Sequence, residues 1–138
     1  SGRRPGNAGL LRERLALAGY RPEDIDIVAF TYLHPDHIGG VREGDALAYP
    51  NARYVIGRAE FDGWISGDRI PPGRAQNRDQ VRELILPLAE RASFIEPGQD
   101  IVAGIRAVEA FGHSVGHLNY MIESAGAAML VWGDVTNH

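Results

Sequence analysis

Cysteine is absent from these 138 residues, which excludes disulfides, thiolate metal sites and a cysteine nucleophile. Lysine is absent as well. All 14 basic residues are arginine, so a Schiff-base lysine and a P-loop lysine are excluded. Methionine occurs only at Met121 and Met129, and none stands first; the chain therefore reads as processed, trimmed or part of something longer. No apolar run approaches the ~20 residues of a membrane helix, and the opening Ser1-Gly2-Arg3-Arg4-Pro5-Gly6 is polar and unlike a signal peptide. Excess positive charge is missing too. The net charge of −4 gives no reason to expect nucleic acid or an anionic membrane as a partner.

What is present suits one folded domain. The length is enough for one compact domain and too little for two. The 44% hydrophobic and 23% charged content is near the globular average, which excludes a disordered or fibrous chain. Periodicity predicts helices over 7–18, 59–65 and 79–91, the last bent or shortened by Pro87. It predicts strands over 25–30, 53–56, 93–96, 105–111, 118–123 and 128–132, with Gly126 turning a hairpin between the last two. Helices separate the early strands and a meander follows, so the fold class is α/β.

The chemistry gathers at the ends of these strands. The five histidines map to two loops and the last residue, and none is expected inside a helix or strand. Thr31-Tyr32-Leu33-His34-Pro35-Asp36-His37 follows a buried strand and holds three candidate ligands. Imidazole and carboxylate are what zinc accepts when thiolate is lacking. Adjacent Asp36 and His37 cannot easily share one ion with His34, which suggests two neighbouring metal positions. Phe111-Gly112-His113-Ser114-Val115-Gly116-His117 follows another strand, and its glycines permit a tight loop that aims His113 inward. Asp134 ends an apolar strand at Val131-Trp132-Gly133-Asp134. Each element alone has a plain alternative: a polar loop with surface histidines, a hydrogen-bonded hairpin histidine, and an aspartate cap.

Together, in this order, the three elements resemble the metallo-β-lactamase superfamily of metal-dependent hydrolases, with its H-x-H-x-D-H, G-H-[ST]-x-G-H and strand-end G-D motifs. Tyr49 to Ile56 and Glu60 to Trp64 look like the branch containing acyl-homoserine lactonases and organophosphate hydrolases. The resemblance implies an αββα sandwich, partial here. Residues 1–138 would form one domain lacking the family's opening strands and its C-terminal part. It implies zinc, one or two ions, with iron or manganese compatible with the same donors. One ion would be held by His34 and His113, the other by Asp36 and His37, with Asp134 between them. A zinc-bound hydroxide would attack a small-molecule ester, lactone or phosphotriester, and Asp36 would also orient the water. Ser114 and His117 are candidates for orienting ligands from behind, and His138 for a substitute ligand. Tyr32 stands where the family has a histidine, and a neutral phenol is a poor zinc ligand. This departure sets up the rival expectation of a non-catalytic metal-binding or interaction domain on the same scaffold. A homo-oligomer and a cytoplasmic location are default expectations that no motif decides.

Overall fold

The computed structural model describes residues 9–136. In chain order the elements are α1 (Leu11–Leu17), β1 (Ile27–Ala29), α2 (Pro35–Ile38), β2 (Arg42–Glu43), β3 (Ala46–Leu47), β4 (Arg53–Gly57), α3 (Arg58–Ser66), α4 (Ala75–Ile85), β5 (Ala92–Ile95), β6 (Asp100–Val102), β7 (Ile105–Glu109), β8 (Leu118–Ser124) and β9 (Ala127–Val131). β1, β4 and β5 form a parallel sheet in the order β1-β4-β5, and β6 to β9 form an antiparallel meander. β2 and β3 pair as a small separate ribbon.

The pleat of β4 sets the layering. Side chains alternate along a strand, so Tyr54 and Ile56 share one face and Val55 takes the other. Tyr54 and Ile56 pack with Phe30, Ile38, Trp64, Val81, Ile85 and Leu88 in a core between sheet and helices. Val55 packs with Ile95, Ala107, Leu118 and Tyr120 in a second core between the two sheets. The order is helices, parallel sheet, antiparallel sheet, which makes three layers of the expected four-layer sandwich among the described residues. On the far side β9 is exposed along its whole length, with Met129 58% accessible, as is Trp132 just beyond its end.

Some elements differ from the periodicity. The helix expected over 79–91 begins at Ala75 and ends at Ile85, and Leu86–Arg91 continues as 3-10 turns. Pro87 is the cause: it has no N–H to donate back, and its ring crowds the preceding turn. α1 forms where expected, but none of its residues is buried and Leu17 is 80% exposed; residues 7 and 8 of that expected helix lie outside the described ones. The β2–β3 ribbon and β6 are too short for a periodic signal.

Two hydrogen bonds fix how the sheets meet beside the histidine loops. The Tyr120 hydroxyl donates to the Phe30 carbonyl at 2.7 Å. The Leu118 N–H donates to the Thr31 carbonyl at 2.8 Å. The segments after β1 and before β8 are thereby held side by side.

Candidate metal centre

The first loop is not wholly a loop. Pro35–Ile38 forms a single helical turn, with Pro35 at its start and His34 just before it. Proline suits that position, because its fixed φ fits the first turn and its missing N–H would have had no partner. The expectation that all histidines lie outside helices is thus corrected for His37. The turn carries His37 while His34 precedes it, and both rings stand against Tyr32. The second loop closes on itself: Ala110 N–H donates to the His117 carbonyl at 3.1 Å, and Gly112 N–H to the Ser114 carbonyl at 3.2 Å.

Four imidazoles surround one phenol. The Tyr32 ring centroid lies 4.8 Å from His34, 4.4 Å from His37, 5.0 Å from His113 and 4.9 Å from His117. His34 and His113 are 4.8 Å apart by ring centroid. Asp134 reaches in from the end of β9. Its Oδ2 is 3.4 Å from His37 Nε2 and 3.9 Å from His113 Nε2. Asp36 lies more outward, with its side chain 80% exposed and Oδ2 3.7 Å from His37 Nε2. His34, His37, His113 and Asp134 therefore come together, Asp36 stands at the rim, and His138 lies outside the described residues.

The environment sets the charge states. Tyr32 is 1% exposed; burial first, and then the neighbouring Asp134 carboxylate, push its phenol above its ordinary range, so it stays neutral. Burial, then the nearby His113 and Arg74, lower the His34 imidazole to about 4, which leaves it neutral. His117 is fully buried and lowered in the same direction by burial. It sits behind Asp134, whose backbone N–H donates to His117 Nε2 at 3.3 Å. Gly133 makes this contact feasible, since a Cβ there would fall 2.6 Å from His117 Nε2, and its φ of +53° disfavours a side chain as well.

Neutral imidazoles and a carboxylate are the donor set a divalent ion accepts. Tetrahedral zinc with bonds of about 2.0–2.1 Å places its donors about 3.4 Å apart. The His37–Asp134 separation matches that spacing and the His113–Asp134 separation is somewhat longer. Among the described residues no three such donors stand close enough to hold an ion without moving. The donor set fits a metal in kind, and in spacing for the His37–Asp134 pair.

Two further residues belong to the site. Arg74, from the turn before α4, places Nη1 3.0 Å from His34 Nε2. It helps line a cleft of about 280 Å³ with His34, Trp64, Arg69, His113 and Val115. Glu60, in the first turn of α3, is 1% exposed and reaches both loops. Its Oε1 accepts from Leu33 N–H at 2.9 Å, Trp64 Nε1–H at 2.8 Å and the Ser114 hydroxyl at 2.6 Å. Its Oε2 accepts from Gly116 N–H at 2.8 Å. Neither residue stands out by spacing; the one signal for Glu60 is an acid on the buried stripe of a short helix, one turn from Trp64.

The chain is similar in sequence and fold to several known proteins. A family model described as the metallo-beta-lactamase superfamily matches residues 2–136. An N-acyl homoserine lactonase of Bacillus cereus is 31% identical over 118 residues, which cover 85% of this chain and 40% of the lactonase. Among solved structures, the hydrolase AbOPH of the beta lactamase superfamily superposes with a TM-score of 0.81 at 25% identity, over 91% of this chain and 46% of that one. An N-acyl homoserine lactone hydrolase, solved with the product N-hexanoyl-L-homoserine at its catalytic metal center, superposes with a TM-score of 0.65 at 26% identity, over 90% of this chain and 44% of the other. The chain spans less than half the length of each of these relatives.

Proposed function

The chain belongs to the metallo-beta-lactamase superfamily, and from that premise we propose that it is the metal-binding portion of a hydrolase acting on small esters, lactones or phosphotriesters. One observation carries the reading: His34, His37 and His113 from two separate loops all border Tyr32, and Asp134 from a third segment stands 3.4 and 3.9 Å from His37 and His113, beside a cleft. The names of the lactonase relatives support the substrate class.

His37, His113 and Asp134 would hold zinc, with His34 and Asp36 able to join from either side; iron or manganese suits the same donors. A divalent ion, when bound, lowers the pKa of a water to about 7 and polarises a carbonyl or phosphoryl oxygen. The chain's own groups do the rest. Asp36, at the rim beside His37, accepts a hydrogen bond from the attacking water and orients it. His117 fixes the Asp134 backbone. The cleft beside His34 and His113 receives the acyl or phosphoryl group and limits its size.

Arg74 competes with this function. A neutral imidazole has one free lone pair. While Arg74 donates to His34 Nε2, the ring proton is on Nδ1 and neither nitrogen can take a metal. Loading at His34 must therefore release the guanidinium into the cleft. Arg74→Met is expected to tighten zinc binding by about tenfold or more, since a charge-assisted hydrogen bond is worth about 1.5 kcal/mol or more when sheltered. Competition against a chromophoric chelator measures it, and unchanged affinity would show that the arginine leaves without cost.

The activity is tested by supplying zinc and following hydrolysis of an acyl-homoserine lactone, an aryl ester and a phosphotriester. At least one should turn over, and Asp134→Asn should lower that rate by about 100-fold or more, since losing a carboxylate that would hold the ion should cost no less than altering a group behind a ligand. A second reading, a non-catalytic metal-binding domain, is favoured by the neutral Tyr32 phenol at the centre of the histidines. Bound zinc without turnover of any of the three substrates would establish it.

A further inference from the structure

Glu60 is the most deeply buried charge-bearing side chain described, and metal chemistry at the histidines does not call on it. We propose that Glu60 is a positioning residue: its carboxylate is the hub that sets the spacing of the two histidine loops and, through it, the site's affinity for a metal. The proposal rests on the metal-site reading above.

Burial sets the terms. An ionised carboxylate out of water needs its oxygens satisfied, and it offers about four acceptor positions. Glu60 fills four. Leu33 N–H and Gly116 N–H come from the backbone, one from each loop; Trp64 Nε1–H and the Ser114 hydroxyl complete the set. Among the described residues no cation pairs with it, so donors alone compensate the charge. Such an anion draws its donors to fixed distances, because charge-assisted hydrogen bonds are short and strong.

The donors are the neighbours of the ligands. Leu33 precedes His34, and Ser114 follows His113. A single carboxylate oxygen therefore grips the chain one residue before one imidazole and one residue after the other, and those two rings stand 4.8 Å apart by centroid. Trp64 adds a third link: its indole donates to Glu60 and to the Ser114 hydroxyl, at 2.8 and 3.2 Å, and its ring meets His34 edge-on at 5.6 Å. Glycines permit this closeness. A Cβ at Gly116 would fall 2.1 Å from Glu60 N, and one at Gly63 would fall 2.4 Å from a Val115 methyl. Only glycines let α3 and the second loop approach so far. The Glu60 charge is also felt at the centre, where it helps keep the Tyr32 phenol neutral, and the same sign favours a cation there.

Glu60→Gln keeps the shape, removes the charge and turns one acceptor into a donor facing donors. Zinc affinity is expected to fall about 10- to 100-fold, the range found when groups behind metal ligands are altered. The absorption spectrum of the cobalt-loaded chain should change in band position, reporting altered ligand geometry. Glu60→Asp, which keeps the charge but shortens the reach, should recover part of the affinity. Ile105→Ala serves as the control, because Ile105 packs against the inter-sheet core at the end of β7 opposite the second loop. It should lower the melting temperature while leaving zinc affinity and the cobalt spectrum as in the parent.

A metal-free readout separates this proposal from the one it rests on. In the apo chain, ring-to-ring NMR cross-peaks between His34 and His113 should weaken in Glu60→Gln, while those between His37 and Tyr32 persist. If the parent binds no zinc or cobalt, the hydrolase reading fails, and this NMR comparison still decides the hub. Parent-like cross-peaks in Glu60→Gln would overturn the proposal. So would zinc affinity within twofold of a metal-binding parent, or equal losses in Ile105→Ala.

Discussion

Gly116→Ala is expected to destabilise the fold by about 3–5 kcal/mol, a loss large enough to unfold a domain of ordinary stability. The new Cβ would stand 2.1 Å from Glu60 N and 2.7 Å from both Ala59 C and Glu60 Cα. These are backbone atoms of α3 and cannot rotate aside. Relief requires the second loop to lift away from the helix. That movement breaks the 2.8 Å bond from Gly116 N–H to Glu60 Oε2 and leaves a buried carboxylate short of a donor, adding about 1–3 kcal/mol to the overpacking cost. Conformational strain plays no part, since Gly116 is not among the glycines with positive φ. Gly39→Ala is the matched comparison. Its φ is −59° and nothing lies within 4 Å of where the added methyl would stand, so its effect should stay within about 0.5 kcal/mol. Urea unfolding of the two variants checks the contrast, and a Gly116→Ala loss below about 1 kcal/mol would show that the loop has room the packing denies it.

Tyr32→His should raise zinc affinity by at least about tenfold, because a new first ligand ought to matter no less than an altered group behind one. The physical basis is the position of the phenol. Its ring is within 5.0 Å of four imidazoles by centroid, and it is buried and held neutral. A neutral phenol offers a divalent ion little, whereas imidazole offers a lone pair at neutral pH. The smaller ring also opens space among the histidines, so a stability loss of about 1–3 kcal/mol in the metal-free state should accompany the gain. Zinc should return much of that stability, because binding to the folded state alone stabilises it. If hydrolysis rises with affinity, the chain is an enzyme weakened at one ligand. If affinity does not rise, the scaffold has lost the geometry and not merely the donor.

Much of this site is legible in the sequence, for a definite reason. His34, His37, His113 and Asp134 lie next to strand ends, and strand ends of neighbouring sheets meet. Order along the chain is enough to bring them together, and 3.4 Å between His37 Nε2 and Asp134 Oδ2 is the outcome. The helical turn at Pro35–Ile38 leaves no mark in the sequence, because four residues are too few to show a period. The glycines of the second loop suggest freedom; Gly116 instead confers closeness, which depends on α3, a partner more than 50 residues away in sequence. Glu60 and Arg74 are silent for the same reason. A single acid in a short helix and a single arginine in a Pro-Gly turn acquire meaning only from what the fold sets beside them. The layers are readable from alternation in β4, whereas the exposed faces of α1 and β9 show that apolar periodicity marks a surface suited to burial without saying what covers it.

The central claim is that the converging histidines and Asp134 hold a metal, and the metal content of the purified chain tests it most directly. The protein would be purified without added metal or chelator and measured by elemental analysis, beside a His37→Ala, His113→Ala double variant. About one to two zinc, iron or manganese ions per parent chain are expected, with a near-complete loss in the double variant, as follows where folded geometry creates the site. A folded parent chain with no metal, or a double variant that retains the parent's content, would contradict it.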